Sequence, residues 1–190
     1  MNNLASNAPG SNMFVTNVGL ITSNGPVGPN IMTAAWTHHV SYEPPYIMVN
    51  IEPDDASVQN IIATKVFGIN LASEKQNVIS SIAGRYSGKN VDKIALLTEL
   101  GHEFYDGKQI RVPMVKDAAL NVELKLIKYE NMGDHIIFIG EVLESSITEE
   151  VKPIFYSAGK YWKVGDNISK PEQAILDEIT ALAEKFTRKM

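Results

Sequence analysis

Residues 28–45 read GPNIMTAAWTHHVSYEPP and run straight into the apolar stretch YIMVNI, residues 46–51. Gly28-Pro29 and Pro44-Pro45 bracket two Thr, a Trp, a Ser and two adjacent His. Gly and Pro clusters punctuate elements, and YIMVNI has the composition of a strand, so a polar segment is being set beside buried sheet. Asn30, Thr33 and Thr37 bring hydrogen-bonding groups, while Ala34 and Ala35 are small enough for a flat ligand to approach the main chain. Two readings stand on spacing alone. One is a polar ledge for a ring rich in donors and acceptors; the other is a hairpin whose Thr and Asn satisfy their own turn.

Upstream, MFVTNVGLITS (13–23) predicts one strand ending at the turn NGPVGPN. Downstream, Asp54 or Asp55 caps a helix carrying Val58, Ile61 and Ile62, and FGINLA (67–72) returns to strand. SEKQNVISSIAG (73–84) predicts a short helix stopped by Gly84, RYSGKN a loop, and VDKIALLTELG another helical turn or two. HEFYDGKQIRVP predicts a hairpin turning at Asp106-Gly107. In ALNVELKLIKYE, Leu120, Val122, Leu124 and Leu126 alternate with Asn121, Glu123 and Lys125, which predicts a strand with one buried face. NMGD turns the chain into HIIFIGEVLESSI, and VKPIFYSAGKYWKVG supplies one or two further strands. Ser169 and Pro171 open a last helix, about 170–189, with an apolar stripe of Ile175, Leu176, Ile179, Leu182, Ala183 and Phe186. Many short strands without regular strand-helix alternation predict a single mainly β domain over 1–190, an antiparallel barrel with peripheral helices.

Composition excludes several chemistries. A formal charge of −5 and a pI near 5.4 argue against a nucleic-acid partner. With no Cys there is no disulfide, thiolate metal site or thiol nucleophile, so redox chemistry requires a cofactor. No basic leader and no apolar run of membrane length is present, which predicts no membrane partner and a soluble cytoplasmic protein. GRYSGKN fails as a P-loop: Gly84 and Gly88 enclose one residue too few, and Asn90 stands where Ser or Thr belongs. No G-x-G-x-x-G follows a strand, no G-x-S-x-G elbow occurs, and His38, His39, His102 and His135 show no zinc spacing, so no metal is expected.

Six pieces in order, NIMTAAWTHHVSYEPPYIMVNI, FGINLAS, SGKNVDK, VP, GDHIIFIGEV and IFYSAGKYW, resemble the flavin reductase-like family of FMN-binding split-barrel proteins, which includes flavoredoxins. The likeness covers about residues 14–165. It implies a six-stranded Greek-key split barrel, a homodimer, and FMN in a groove near the subunit contact. By the same resemblance Asn30, Met32, Thr33, Ala34 and Trp36 face the flavin, and Asn50 and Ile51 contact it through main chain. Ser57 at a helix start binds the phosphate or simply caps the helix. Arg85, Ser87 and Lys93 neutralise the phosphate, although Lys89 and Asn90 replace the Arg and Asp of the family's SGRDVDK-like motif. His135 of GDH is the candidate catalytic residue, acting as a hydrogen-bond donor to nicotinamide or the flavin edge, or else a structural hydrogen bonder. Tyr156 and Tyr161 close the site or are ordinary rim aromatics. The function implied is an FMN-dependent oxidoreductase that takes hydride from NAD(P)H and passes electrons to free flavin, ferric iron or a redox partner. The alternative is an FMN carrier or sensor that turns over no nicotinamide.

Overall fold

The computed structural model describes residues 4–6 and 8–187; positions 188 and 189 of the expected last helix lie outside them. The strands are β1 (Thr16–Asn17), β2 (Gly19–Ser23), β3 (Asn30–Ala34), β4 (Thr37–Tyr42), β5 (Pro45–Ile51), β6 (Val66–Leu71), β7 (Phe104–Asp106), β8 (Pro113–Val115), β9 (Leu120–Met132), β10 (His135–Ile147), β11 (Phe155–Ser157) and β12 (Lys160–Trp162). The helices are α1 (Ala56–Thr64), α2 (Asn77–Arg85), α3 (Lys93–Glu99) and α4 (Gln173–Lys185).

The main sheet is antiparallel with the order β3-β2-β6-β9-β10-β5-β4. Laid flat, its edge strands would stand about 29 Å apart at normal strand spacing. Yet β3 ends at Ala34 and β4 begins at Thr37, a gap the chain spans with at most about 11 Å. The sheet must therefore curl until its edges approach, and the Asn50 N–H, donating to the Trp36 carbonyl at 3.1 Å, carries the β4–β5 ladder one residue into the crossing. The result is a barrel with a seam. It has seven strands where six were expected, because Thr37–Tyr42 forms an edge strand of its own on β5.

Even-odd alternation along the strands feeds two cores. The barrel interior holds Ile21, Met32, Val49, Phe67, Val122, Leu124 and Phe138, with Val58 and Ile61 of α1 closing one end. The second core lies outside the barrel wall, where Leu20 and Ile31 meet Ile79 and Ala83 of α2 and Leu97 of α3. Burial on both faces explains why the adjacent Leu20 and Ile21 of β2 are both apolar. Gly140 leaves no room for a side chain against the barrel core: a Cβ there would stand 2.9 Å from Phe67 Cζ and from Leu124 Cβ. The β9–β10 pairing shifts register beside it, as a strand does when it bends.

Four expectations change. The predicted strand 13–23 breaks at Val18, because β1 pairs with β11 in a separate three-stranded sheet while β2 enters the barrel. The helix expected over 73–84 begins later, at Asn77, and runs through Gly84 to Arg85; Ser73 instead bridges to Pro153. The 104–115 hairpin forms, but residues 107–112 make a longer loop in place of a two-residue Asp-Gly turn. Strand β9 is buried on both faces at its start, since Asn121 and Glu123 lie under that hairpin. The helix α1 is capped by Asp55, whose side chain accepts from the Ser57 N–H, and α3 by Asp92, which accepts from the Ala95 N–H. The last helix runs from Gln173 to Lys185, starting later than the expected 170 and ending before the described residues do. No helix among the described residues is long and apolar enough to cross a membrane.

Candidate flavin-binding site

The seam opens into a cleft of about 250 Å³. One wall comes from a single short stretch, Met32 to Trp36, because the chain crosses from edge to edge there. The other wall is assembled from Asn50 at the end of β5, Gly84 on α2 and His135 at the start of β10, with Glu52 and Asp55 below. Strand pairing places His135 beside the end of β5, since Ile136 is opposite Ile51.

Gly84, Thr33 and Ala35 also line a neighbouring hollow of about 460 Å³, which holds Arg85, Ser81, Tyr156 and Tyr161. The two tyrosine rings are 5.8 Å apart, and the Tyr161 hydroxyl lies 3.4 Å from Ser81 Oγ. A third hollow of about 490 Å³ shares Trp36, Ala35 and Asn50 with the cleft. The site is therefore a continuous groove with the seam cleft at its centre.

The chemistry of the cleft centres on His135. Its Nδ1 is 2.8 Å from Asp134 Oδ1. An ionised carboxylate only accepts, so Nδ1 carries the proton and the neutral ring presents a bare Nε2. Nε2 is an acceptor in the neutral ring, and the donor role expected of it belongs to the imidazolium. The same hydrogen bond holds the exposed Asp134 carboxyl below its ordinary range. Trp36 lies against the other side of the imidazole, ring centroids 4.8 Å apart at 38°.

Met32, Thr33, Ala34, Trp36, Asn50, Arg85 and His135 thus meet on one groove. Thr33 is also a strut, its hydroxyl donating to the Ser80 carbonyl at 2.7 Å. Asn30 and Ser57 meet each other, Asn30 Nδ2 donating to Ser57 Oγ at 2.9 Å, and both are buried. Ser57 is therefore neither the cap of α1 nor an open hydroxyl. Lys93 is 1% exposed, its Nζ donating to the Ala83 carbonyl at 3.0 Å. Ser87 is exposed on the loop and its Oγ accepts from the Lys89 N–H at 3.3 Å. The Ile51 side chain belongs to the barrel core. Ser57, Ser87 and Lys93 line none of the three hollows; burial turns the first and last of them inward. Among the described residues no His, Asp and Glu cluster suits a metal.

Sequence reasoning missed the acidic floor of Glu52 and Asp55 and the role of Asp134, although Asp134 stood in the GDH motif. It also missed that two buried polar atoms at the seam, Thr37 Oγ1 and Asn50 Oδ1, have no hydrogen-bond partner among the described residues. Buried polar atoms are ordinarily paired, and of these two residues Asn50 lines the cleft while both line the 490 Å³ hollow. A flavin ring, flat and edged with imide and carbonyl groups, suits this wall.

Residues 11–165 match the family model described as flavin reductase like domain. The flavoredoxin of Desulfovibrio vulgaris (Miyazaki F) superposes with a TM-score of 0.74 at 28% identity, covering 85% of this chain and 93% of that one. The flavin reductase PheA2 gives 0.72 at 28% identity over 87% and 99%. The FMN reductase (NADH) SmoA of Agrobacterium fabrum is 27% identical over 148 residues, 78% of this chain and 79% of that protein. One relative, from Aeropyrum pernix, is longer, and the match covers 41% of it. With four fifths of the chain inside the family model and the barrel seam built as described, the chain belongs to the flavin reductase-like family.

Proposed function

We propose that the seam cleft holds the ring system of FMN and that the protein is an NAD(P)H-dependent oxidoreductase, passing electrons to free flavin, ferric iron or a redox partner protein. The observation that carries this reading is the groove itself: a cleft walled by Met32 to Trp36 on one side and by Asn50, Gly84 and His135 on the other, sharing Thr33, Ala35 and Gly84 with a hollow that bears an exposed arginine. Relatives named as NADH-dependent flavin reductases support the same chemistry.

Bound FMN would supply a ring that accepts two electrons as hydride and releases them again. The protein's part is orientation and charge. Ala34, Ala35 and Gly84 let the ring approach main chain, and Trp36 and His135 flank it. His135 Nε2 accepts from an N–H of the ring or of a nicotinamide carboxamide, fixing the relative pose. Arg85, with the Ser81 hydroxyl beside it, is placed to hold the phosphate. The carboxylate of Asp55 at the α1 N-terminus repels an anion there, which favours the Arg85 end of the groove. The reading includes a homodimer with the groove near the subunit contact.

The test is reconstitution with FMN, release and identification of the flavin, and anaerobic reduction with NADH and NADPH. We expect FMN to be retained over FAD and reduced by one nicotinamide. Arg85→Ala should weaken FMN about tenfold, the loss of one charge-assisted contact, while leaving riboflavin, which lacks phosphate, unchanged. His135→Ala should keep FMN and slow its reduction about tenfold, roughly 1.4 kcal/mol in the barrier. Tight FMN binding with no reduction by either nicotinamide would make the protein a carrier; no flavin uptake at all would sink the reading.

A further inference from the structure

We propose that Trp36 is a positioning residue for His135, its indole packed against the imidazole so that Nε2 points into the cleft. This goes beyond the proposed flavin chemistry but rests on it for its kinetic consequence.

His135 is a ring on a single rotatable stem at the first residue of β10, just after a turn. One hydrogen bond, Nδ1 to Asp134 Oδ1, fixes which nitrogen carries the proton but leaves the ring free to swing about that contact, because the Asp134 side chain is itself 91% exposed. An exposed carboxylate is a soft anchor. The second restraint is the indole of Trp36, 4.8 Å away and tilted 38°. Two contacts from different directions define a plane, where either alone defines only a point.

Trp36 is itself well anchored at the backbone. It sits in the two-residue crossing between β3 and β4, and its carbonyl accepts the Asn50 N–H at 3.1 Å. Its indole is 49% exposed and walls both the seam cleft and the 490 Å³ hollow, so it does not serve the barrel core. The indole Nε1–H has no acceptor among the described residues. What the indole does in this structure is meet His135 and bound the groove.

The test separates ring stacking from mere bulk. In flavin-free protein, the His135 Cε1–H resonance should be displaced by the Trp36 ring current. Trp36→Phe should keep a displaced resonance, and Trp36→Leu, similar in bulk but without a π-face, should return it toward the value of a free imidazole. In protein saturated with FMN, Trp36→Leu should be reduced at saturating nicotinamide about tenfold more slowly than wild type, while Trp36→Phe stays within about threefold. Trp36→Leu combined with His135→Ala should be no slower than His135→Ala alone, since Trp36 acts through the imidazole. An unmoved resonance in Trp36→Leu, a wild-type reduction rate in that variant, or additive losses in the double variant would each overturn the proposal. If wild type binds no flavin, the flavin reading fails while the resonance measurements still decide the positioning role.

Discussion

Lys93 carries an ammonium into the interior, 1% exposed, with one acceptor at Ala83 among the described residues. Burial pushes it below its ordinary 10.5, and the Asp55 carboxylate pulls partly the other way. Below that depressed value both folded and unfolded chains hold the proton, and the cost of burying the charge stands in full. Between it and 10.5 the unfolded chain binds more protons, so stability rises with pH. Lys93→Met keeps the volume and removes the charge; it should be about 1 kcal/mol more stable than wild type at pH 7, the low end of what apolar replacement of buried charge returns. That advantage should shrink as pH climbs toward 10, read from denaturant melts at each pH. A variant less stable at pH 7 would show that the Ala83 contact outweighs desolvation. Gly88 is governed by space instead. A Cβ there would collide with the Asn30 carboxamide, its Cγ at 2.6 Å, and Asn30 in turn holds Ser57. Gly88→Ala should cost about 1–3 kcal/mol, the usual penalty of forcing atoms into a packed site, measured as a shift in the urea midpoint at unchanged slope.

Whole elements show which information is local. The first wall of the cleft was readable because Met32 to Trp36 is contiguous, and Thr33 beside the small Ala34 and Ala35 is visible in one window. On the opposite wall Asn50 and His135 were named only through the family resemblance and Gly84 not at all, because the three come together only when the sheet closes, and closure depends on register between distant strands. His135 was found through the GDH motif, while its Asp134 contact needed geometry. The same limit explains β9. Leu120 to Leu126 alternated as a half-buried strand should, yet Glu123 on the supposedly open face is 4% exposed. Its carboxylate accepts from the N–H groups of Lys108, Gln109 and Ile110 at 2.8, 2.7 and 3.1 Å. A buried acid satisfied by three loop amides reads, in sequence, as an ordinary surface glutamate. That triple contact is what shapes the 107–112 loop, in place of an Asp-Gly turn. Glu123→Gln keeps the shape but turns an amide NH2 toward backbone donors. It should lose about 1–3 kcal/mol, the cost of leaving a buried donor unpaired, and amide exchange should quicken at residues 108–110 more than elsewhere. Equal exchange across the molecule would mean the carboxylate does not organise the loop.

At the scale of the whole molecule, the barrel with its two small sheets and three helices takes the chain to Trp162, and α4 follows with every residue exposed. All residues of α4 are exposed, including the apolar stripe: Ile175 is 49% exposed and Ile179 53%. Isolated helices of α4's thirteen-residue length are marginal in water and persist when an apolar face is covered. Nothing in the described chain covers this one, and the stripe runs the length of the helix. A second copy of the chain is the cover consistent with the proposed homodimer, and an isologous contact would set two such stripes together. Ile179→Glu places a charge at the centre of the stripe, where it touches nothing else in the protomer, so it should spare the barrel. The expected outcome is a dimer mass for wild type by light scattering and a monomer mass for Ile179→Glu. Far-ultraviolet circular dichroism should show helix lost in the variant, while barrel amides stay protected from exchange. If wild type is a monomer with α4 still helical, or if Ile179→Glu remains a dimer, the stripe does not join two copies, and the contact that completes the groove must be sought on the β4 edge, where the sheet leaves its last strand unpaired.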